Sequence, residues 1–337
     1  MTNAKKRPCL IIAEAGVNHN GRLDLALELC DAAKAAGADV VKFQTWKTEK
    51  IITRNVAQAD SQTKNTSVAE SQFDMLKRLE LSYEDFKKVK THCDEIGILF
   101  SSTADEEESL NFLIDLGIPF IKVGSGDIGN VSFLRYIGSK KMPVILSTGM
   151  STLADVDTSI QALRDGGATD ITVLHCTTNY PCPYEDVNLQ AMCTLREAFH
   201  FPVGYSDHTM GDAVSIAAVA LGATVIEKHF TLDCHMEGPD HAASTEPQEF
   251  KQLVDSIRRV EACLGDGVKE PTGAEKEIAK VVTKRLVASR EIQKGEILSE
   301  ENLCVKRNDV GLRASLWDLA VGRPAKKDYA FDEGVEI

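Results

Sequence analysis

The sequence predicts a (β/α)8 TIM barrel followed by a small C-terminal module. Three observations predict it. Strand-length apolar runs alternate with amphipathic helical segments at least eight times within residues 1–265. Each run begins apolar and ends polar. The texture of the chain then changes after residue 266. Eight βα units in that length match a barrel in count and size. A doubly wound open sheet is the weaker alternative, because eight units follow one another and no early GxGxxG is present.

The strand candidates, in order, are LIIAEAG (10–16), VVKFQT (40–45), ILFSST (98–103), FIKVGS (120–125), VILSTG (144–149), TVLHCT (172–177), VGYSDH (203–208) and VIEKHF (225–230). Helical patterns such as LDLALELCDAAKAAG (23–37) and DVDTSIQALRDGG (155–167) lie between them, with Gly and Pro at the joins. QEFKQLVDSIRRVEACLG (248–265) supplies a last helix. The long polar interruption at 46–80 is expected to be a loop with a short helix over the barrel mouth. Residues 266–282, opening with DGVKEPTGAEKE, read as a linker. Residues 283–337 read as a compact mixed module, in which EIQKGEILSEENL makes a strand, a Lys-Gly turn and a helix starting near Ser299. That is short for an independent core, so docking onto the barrel is expected.

Composition limits the function classes. The chain has 337 residues, 43% of them hydrophobic and 26% charged, which is ordinary for a globular protein. A net charge of −13 disfavours nucleic acid and anionic membrane as partners. An anionic substrate would therefore need a local cluster of lysines or arginines. No apolar run is long enough for a membrane span. The basic N-terminus runs straight into Glu14 and an Asn-His pair, so it reads as a first strand rather than a signal peptide. Nine scattered cysteines with no CxxC spacing point to reduced thiols in a cytoplasmic protein and against a zinc-thiolate site.

The polar strand ends are Glu14; Lys42 and Gln44; Ser102 and Thr103; Lys122 and Ser125; Ser147 and Thr148; His175 and Thr177; Ser206 and His208; Glu227 and His229. In a barrel these ends meet at one rim, where active sites form. Strand alternation sends Glu227 and His229 to the mouth and Lys228 to the helical layer, where it must snorkel or pair.

His208 and His229 on neighbouring strands read as ligands for a divalent metal, with Glu227 and Asp207 expected to orient the rings. The competing reading is two core imidazoles satisfied by backbone; two of them on adjacent strands favour the metal. Lys42 and Lys122 would grip a phosphate or carboxylate, buttress a barrel carboxylate such as Glu14, or form a Schiff base. GSGD (124–127), Ser147 and Ser206 would supply donors to a phosphate. His19 in NHNG is either part of a turn or a substrate contact. NYPCPYED (179–186) is either a cap over a ligand or a plain surface loop. His92, His200 and His235 carry no functional expectation.

The blocks EAGVNHNG, VKFQT, KVGSGD, LSTGM, LHCTTNYPCPYEDVNL, GYSDHT and EKHFTLD, in this order and followed by GPDHAAS, resemble the sialic acid synthases, a family that includes the legionaminic acid synthases. The C-terminal module resembles an antifreeze-like (SAF) domain. The resemblance implies condensation of phosphoenolpyruvate with the open-chain aldehyde of an N-acylamino hexose, such as N-acetylmannosamine or a 2,4-diacetamido-6-deoxymannose. The products would be a nine-carbon 2-keto acid and phosphate.

Carried over block by block, the resemblance implies His208 and His229 as ligands of Mn²⁺, with Mg²⁺ or Co²⁺ as alternatives. Lys42, Thr103, Lys122, Ser125, Ser147 and Ser206 would line the phosphoenolpyruvate pocket. Glu14, Gln44, Asn65, Asp127, Tyr180 and Asp240 would lie near the sugar. Glu14 or Glu227 would activate the attacking water. Arg307 would reach the barrel mouth of a partner chain in a domain-swapped homodimer. Asp127 stands where some members carry Glu, Thr178 where some carry Asn, and residues 266–316 hold no aromatic before Trp317 where some members offer a ring. Two further readings stay open: a Schiff-base pyruvate aldolase using Lys122, and a non-catalytic sugar-binding protein.

Overall fold

A computed structural model describes residues 8–54, 56 and 71–337. Eight parallel strands close into a barrel in chain order. They are β1 (Leu10–Gly16), β2 (Val40–Thr45), β3 (Leu99–Ala104), β4 (Ile121–Val123), β5 (Val144–Ser147), β6 (Ile171–Cys176), β7 (Val203–Asp207) and β8 (Val225–His229). A helix follows each strand, and Pro247–Cys263 follows β8. The helices start and stop where local chemistry dictates. Ser82 caps Tyr83–Ile96 by accepting from the Asp85 backbone N–H, and Gly97 ends that helix at φ 74°. Strand β4 is shorter than its apolar run predicts, because Ser125–Asp127 turns into a single 3-10 turn.

The barrel interior has two layers set by the period of two along each strand. The lower layer is apolar: Ile12, Val40, Phe120, Ile145, Leu174 and Val225 pack together. Two residues further along the same strands stand Glu14, Lys42, Lys122, Ser147, Cys176 and Glu227. Gly204 on β7 completes the lower layer because nothing larger fits. A Cβ there would lie 2.4 Å from the Val225 carbonyl oxygen and 2.6 Å from Leu174 Cδ2.

Alternation also corrects two sequence expectations. On β6 it is Leu174 and Cys176 that point inward, so His175 faces the helical layer and its Nε2–H donates to the Val187 carbonyl (2.8 Å). On β7, Asp207 faces outward rather than toward the imidazoles. There it meets Lys228, its register partner on β8. Lys228 Nζ lies 3.0 Å from Asp207 Oδ2 and donates to the Thr209 carbonyl at 2.8 Å. The Asp207 carboxylate also accepts from Ser215 Oγ, Thr209 N and Thr209 Oγ1. Every lone-pair direction is used, as a buried ion pair requires. Lys228 therefore pairs rather than snorkels.

The described ends of the 46–80 insertion carry two helices, Thr48–Ile51 and Gln72–Leu79, rather than one. Trp46, Met75 and Leu79 pack with Val17 beside β1. A hydrophobic anchor of this kind is why the segment does not read as plain loop.

The chain divides into two compact units after Gly265. In the second, Gly273–Val282 is helical within the stretch expected as linker. Its signal is a capping box, Thr272 with Glu275. Strands β9 (Lys284–Ala288) and β10 (Leu303–Arg307) pair antiparallel, and Leu286, Ile292, Leu298, Leu303, Tyr329 and Val335 form a small core. No described helix is long and apolar enough to cross a membrane.

Lys228→Met strands the Asp207 carboxylate in a dry site. Urea denaturation is expected to show a loss of about 3–5 kcal/mol in unfolding free energy. A loss below about 1 kcal/mol would show that the clamp holds nothing together.

Candidate active site

The carboxyl ends of the strands open onto a cavity of about 500 Å³, a size that suits a small-molecule site. Its floor is an ion network. Lys42 Nζ lies 2.5 Å from Glu14 and 3.8 Å from Glu227, and Lys122 Nζ lies 3.5 Å from Glu227. All four side chains are buried. The β1–β2 register puts Glu14 opposite Lys42, so the first of these contacts follows directly from strand pairing. Lys42 also donates to Thr103 Oγ1 (3.1 Å), Lys122 to Ser147 Oγ (2.7 Å), and Gln44 Nε2 to Glu14 (3.1 Å).

The two glutamates differ sharply in acidity. Burial pushes the Glu14 carboxyl up to about 7, with Lys42 opposing. Burial also works against ionised Glu227, but Lys122 and then Lys42 outweigh it and hold that carboxyl at about 2. Burial lowers the Lys122 ammonium, offset in part by Glu227. The two lysines favour the anion at Glu227, while burial opposes it at Glu14, a separation of the kind acid–base chemistry uses.

His208 and His229 face the same cavity, with ring centroids 5.4 Å apart. His208 Nδ1 lies 2.7 Å from the Thr177 carbonyl oxygen. A carbonyl can only accept, so Nδ1 carries the proton and Nε2 keeps its lone pair. The Thr177 carbonyl, not Asp207, orients this ring. The His229 ring makes no hydrogen bond among the described residues. Burial, then repulsion from His208, lowers its imidazole to about 3. Both rings are therefore neutral, the form that ligates a metal. Two neutral imidazoles offer a divalent cation two nitrogen ligands, and among the described residues they belong to no cluster of three or more such groups. Among the described residues, the one such cluster is Asp233, Cys234 and His235, on the loop after β8.

The expected barrel residues that are described converge here, apart from Asp127. Ser125, Tyr180, Ser206 and Asp240 line the cavity beside the groups above. Tyr180 lies over His208 (4.2 Å between centroids) and meets His229 edge-on (5.3 Å), so NYPCPYED brings a ring over the imidazoles. Asp127 is not a lining residue, and its carboxylate accepts from Asn130 Nδ2 at 3.0 Å. Asn65 lies outside the described residues. Arg307 is an exposed residue at the end of β10, in the second unit. His19 is buried off the cavity, its Nδ1 accepting from the Gly21 backbone N–H.

Sequence reasoning missed Asp105, Cys176 and Asn179, which also line the cavity. Alternation could have found two of them: Cys176 continues the inward set of β6, and Asp105 continues 101 and 103. Thr178 lines the cavity with a buried hydroxyl that has no partner among the described residues. A second cavity, about 740 Å³, lies beside His175 and Thr152. Its described lining holds no lysine, arginine or carboxylate.

The Glu14 acidity has a measurable consequence. The folded chain holds this proton more tightly than the unfolded chain, whose value is 4.5. The stability this contributes is complete below that value and is lost as pH rises through about 7. Glu14→Gln removes the dependence. Its urea midpoint should gain on the wild-type midpoint between about pH 5 and about pH 8; a constant difference across that range would contradict the assignment.

The profile of the NeuB family matches residues 29–269, and that of the SAF domain matches residues 283–335. The chain is 47% identical to the N,N'-diacetyllegionaminic acid synthase of Campylobacter jejuni, over 96% of this chain and 98% of that one. It is 37% identical to the N-acetylneuraminate-9-phosphate synthase of Homo sapiens, over 89% and 84%. Among solved structures, the N-acetylneuraminic acid (sialic acid) synthetase of Leptospira borgpetersenii superposes with a TM-score of 0.73 at 34% identity, covering 81% of this chain and 91% of that one. With its barrel, its polar rim and these matches together, the chain belongs to the NeuB family.

Proposed function

We propose that this protein is a nonulosonic acid synthase. It condenses phosphoenolpyruvate with the open-chain aldehyde of an N-acylamino hexose, giving a nine-carbon 2-keto acid and phosphate. The observation that carries the reading is the meeting, in one cavity, of two buried lysines with two neutral imidazoles, His208 with an unprotonated Nε2 beside the Ser206 hydroxyl and His229 with no hydrogen bond among the described residues. The relatives named as legionaminic and neuraminic acid synthases support it.

In this reading Lys42 and Lys122 hold the phosphate and carboxylate of phosphoenolpyruvate as point charges, helped by the hydroxyls of Thr103, Ser125, Ser147 and Ser206. C3 of the enol attacks the aldehyde carbon, the aldehyde oxygen takes up the proton that Glu14 holds, and positive charge develops at C2. Glu227, held ionised, stabilises that charge. Glu14, with a carboxyl near neutrality, takes the proton from the water that adds at C2. The C2–O bond to the phosphate group then breaks in the adduct, the C2 hydroxyl gives its proton to the departing phosphate, and the 2-keto acid forms. A divalent metal held by His208 and His229, Mn²⁺ in the first instance, would polarise the aldehyde oxygen as a Lewis acid. Gln44, Tyr180 and Asp240 meet the sugar. Arg307 is assigned to the barrel mouth of a partner in a swapped homodimer, and Asn65 and Asp127 stay assigned to the sugar end by resemblance alone. Nine unbonded cysteines fit a reducing, cytoplasmic setting.

A phosphate-release assay with a panel of N-acylamino sugars tests this. Release should require both phosphoenolpyruvate and sugar, should stop with EDTA, and should return with Mn²⁺. Full-rate release from chelated enzyme would remove the histidines from their role. Burial, which lowers the Lys122 ammonium, also invites the Schiff-base alternative. Borohydride with pyruvate should leave Lys122 unmodified, because the amine is tied to Ser147 and Glu227. A covalent adduct on Lys122 would overturn the synthase in favour of an aldolase.

A further inference from the structure

Asn18, His19 and Asn20 of the EAGVNHNG block do not line the cavity. Asn18 is nonetheless buried, two residues past the end of β1. Strands β1 and β8 are paired neighbours, and the Asn18 side chain crosses to the loop that follows β8. Its Nδ2 donates one proton to the Phe230 carbonyl (2.9 Å) and the other to Ser244 Oγ (3.0 Å). The Ser244 hydroxyl has a single proton, and it goes to the Asp240 carbonyl (2.7 Å). The bonds therefore run one way, from amide to hydroxyl to carbonyl. Asn18 Oδ1 has no partner among the described residues, a buried cost set against the two donated bonds.

Asp240 occupies the N-cap position of the short turn His241–Ala243, yet its side chain does not cap it. The carboxylate lines the cavity instead. Ser244 and Asn18 hold the turn by its backbone and leave that carboxylate to the site. His229, at the start of the same segment, has tethers of its own. Its carbonyl accepts from Thr245 N, and Phe230 N donates to the Glu14 carbonyl. Loss of the Asn18 bonds is thus felt at Asp240 more than at the imidazole.

We propose that Asn18 is a positioning residue: acting through Ser244, it fixes the backbone of Asp240 so that the Asp240 carboxylate meets the acceptor sugar. The inference rests on the synthase reading and on the place of Asp240 within it. Asn18→Asp is close to isosteric but reverses the bonding. An ionised carboxylate donates nothing, so the Phe230 carbonyl loses its donor. The Ser244 proton is drawn to the new carboxylate and away from Asp240. Ser244→Ala cuts the same connection one bond later and leaves the Asn18–Phe230 bond in place.

The test measures steady-state phosphate release by the full-length enzyme with Mn²⁺, varying phosphoenolpyruvate and the acceptor separately. The acceptor is the best of N-acetylmannosamine, its 6-phosphate and a 2,4-diacetamido-6-deoxymannose. Asn18→Asp and Ser244→Ala should each raise the acceptor KM about tenfold while leaving the KM for phosphoenolpyruvate within about twofold. The double variant should be no worse than Asn18→Asp alone, because both changes break one connection. Hydrogen exchange followed by mass spectrometry should quicken at residues 238–244 in both single variants. If Asn18→Asp fails to fold, Ser244→Ala, which deletes one oxygen, decides the matter by the same KM split. An unchanged acceptor KM in folded variants, or a parallel rise for both substrates, overturns this inference alone. Absence of release by the wild type with every acceptor overturns it together with the synthase reading.

Discussion

The structure turns on ionised groups carried into a barrel interior. Glu14, Lys42, Lys122 and Glu227 come from four strands and are buried, a state that is very costly for isolated charges. They are tolerated because each faces an opposite charge, and because the apolar layer two residues below fills the space beneath them. The same arrangement creates the reactivity. Lysines shared with carboxylates can be handed to an anionic ligand, and two glutamates placed differently among the same cations acquire very different acidities. Stability and chemistry are two readings of one network.

Strands β7 and β8 show how the barrel separates those tasks by face. Inward, Ser206, Glu227 and His229 serve the cavity. Outward, Asp207 and Lys228 neutralise each other behind the wall. Each outward residue adjoins an inward functional one in the chain, so the clamp holds the β7–β8 register from which His208 and His229 project. This explains how VIEKHF can have three consecutive ionisable residues inside a core strand: alternation divides them between two environments, which give Glu227 and Lys228 opposite charges and leave His229 open to the cavity.

Much of this was legible before any coordinates. Eight apolar runs ending in polar residues define the barrel and its mouth, because rim chemistry leaves a polar signature at strand ends. Lys42, Lys122, Ser147, His208, Glu227 and His229 could be read from that signature. The failures have physical causes. His175 is polar and ends a strand, but polarity alone does not reveal the face, and the smaller Cys176 holds the inward position. Asp207 beside His208 invited a role on the ring that a backbone carbonyl fills instead. Asp105 hides in the acidic run DEEE, where a carboxylate looks like a solvated helix start. The helix Gly273–Val282 hid behind the polar Pro-Thr-Gly break that precedes it, and its only start signal is the capping box of Thr272 and Glu275.

The central claim is that the two imidazoles share one cation at the mouth of this ion network. The most direct measurement is anomalous scattering at the manganese edge from a crystal soaked in Mn²⁺. The account predicts a peak between the rings of His208 and His229, within bonding distance of a nitrogen of each. A peak at Asp233, Cys234 and His235 instead, with none at the barrel mouth, would contradict it.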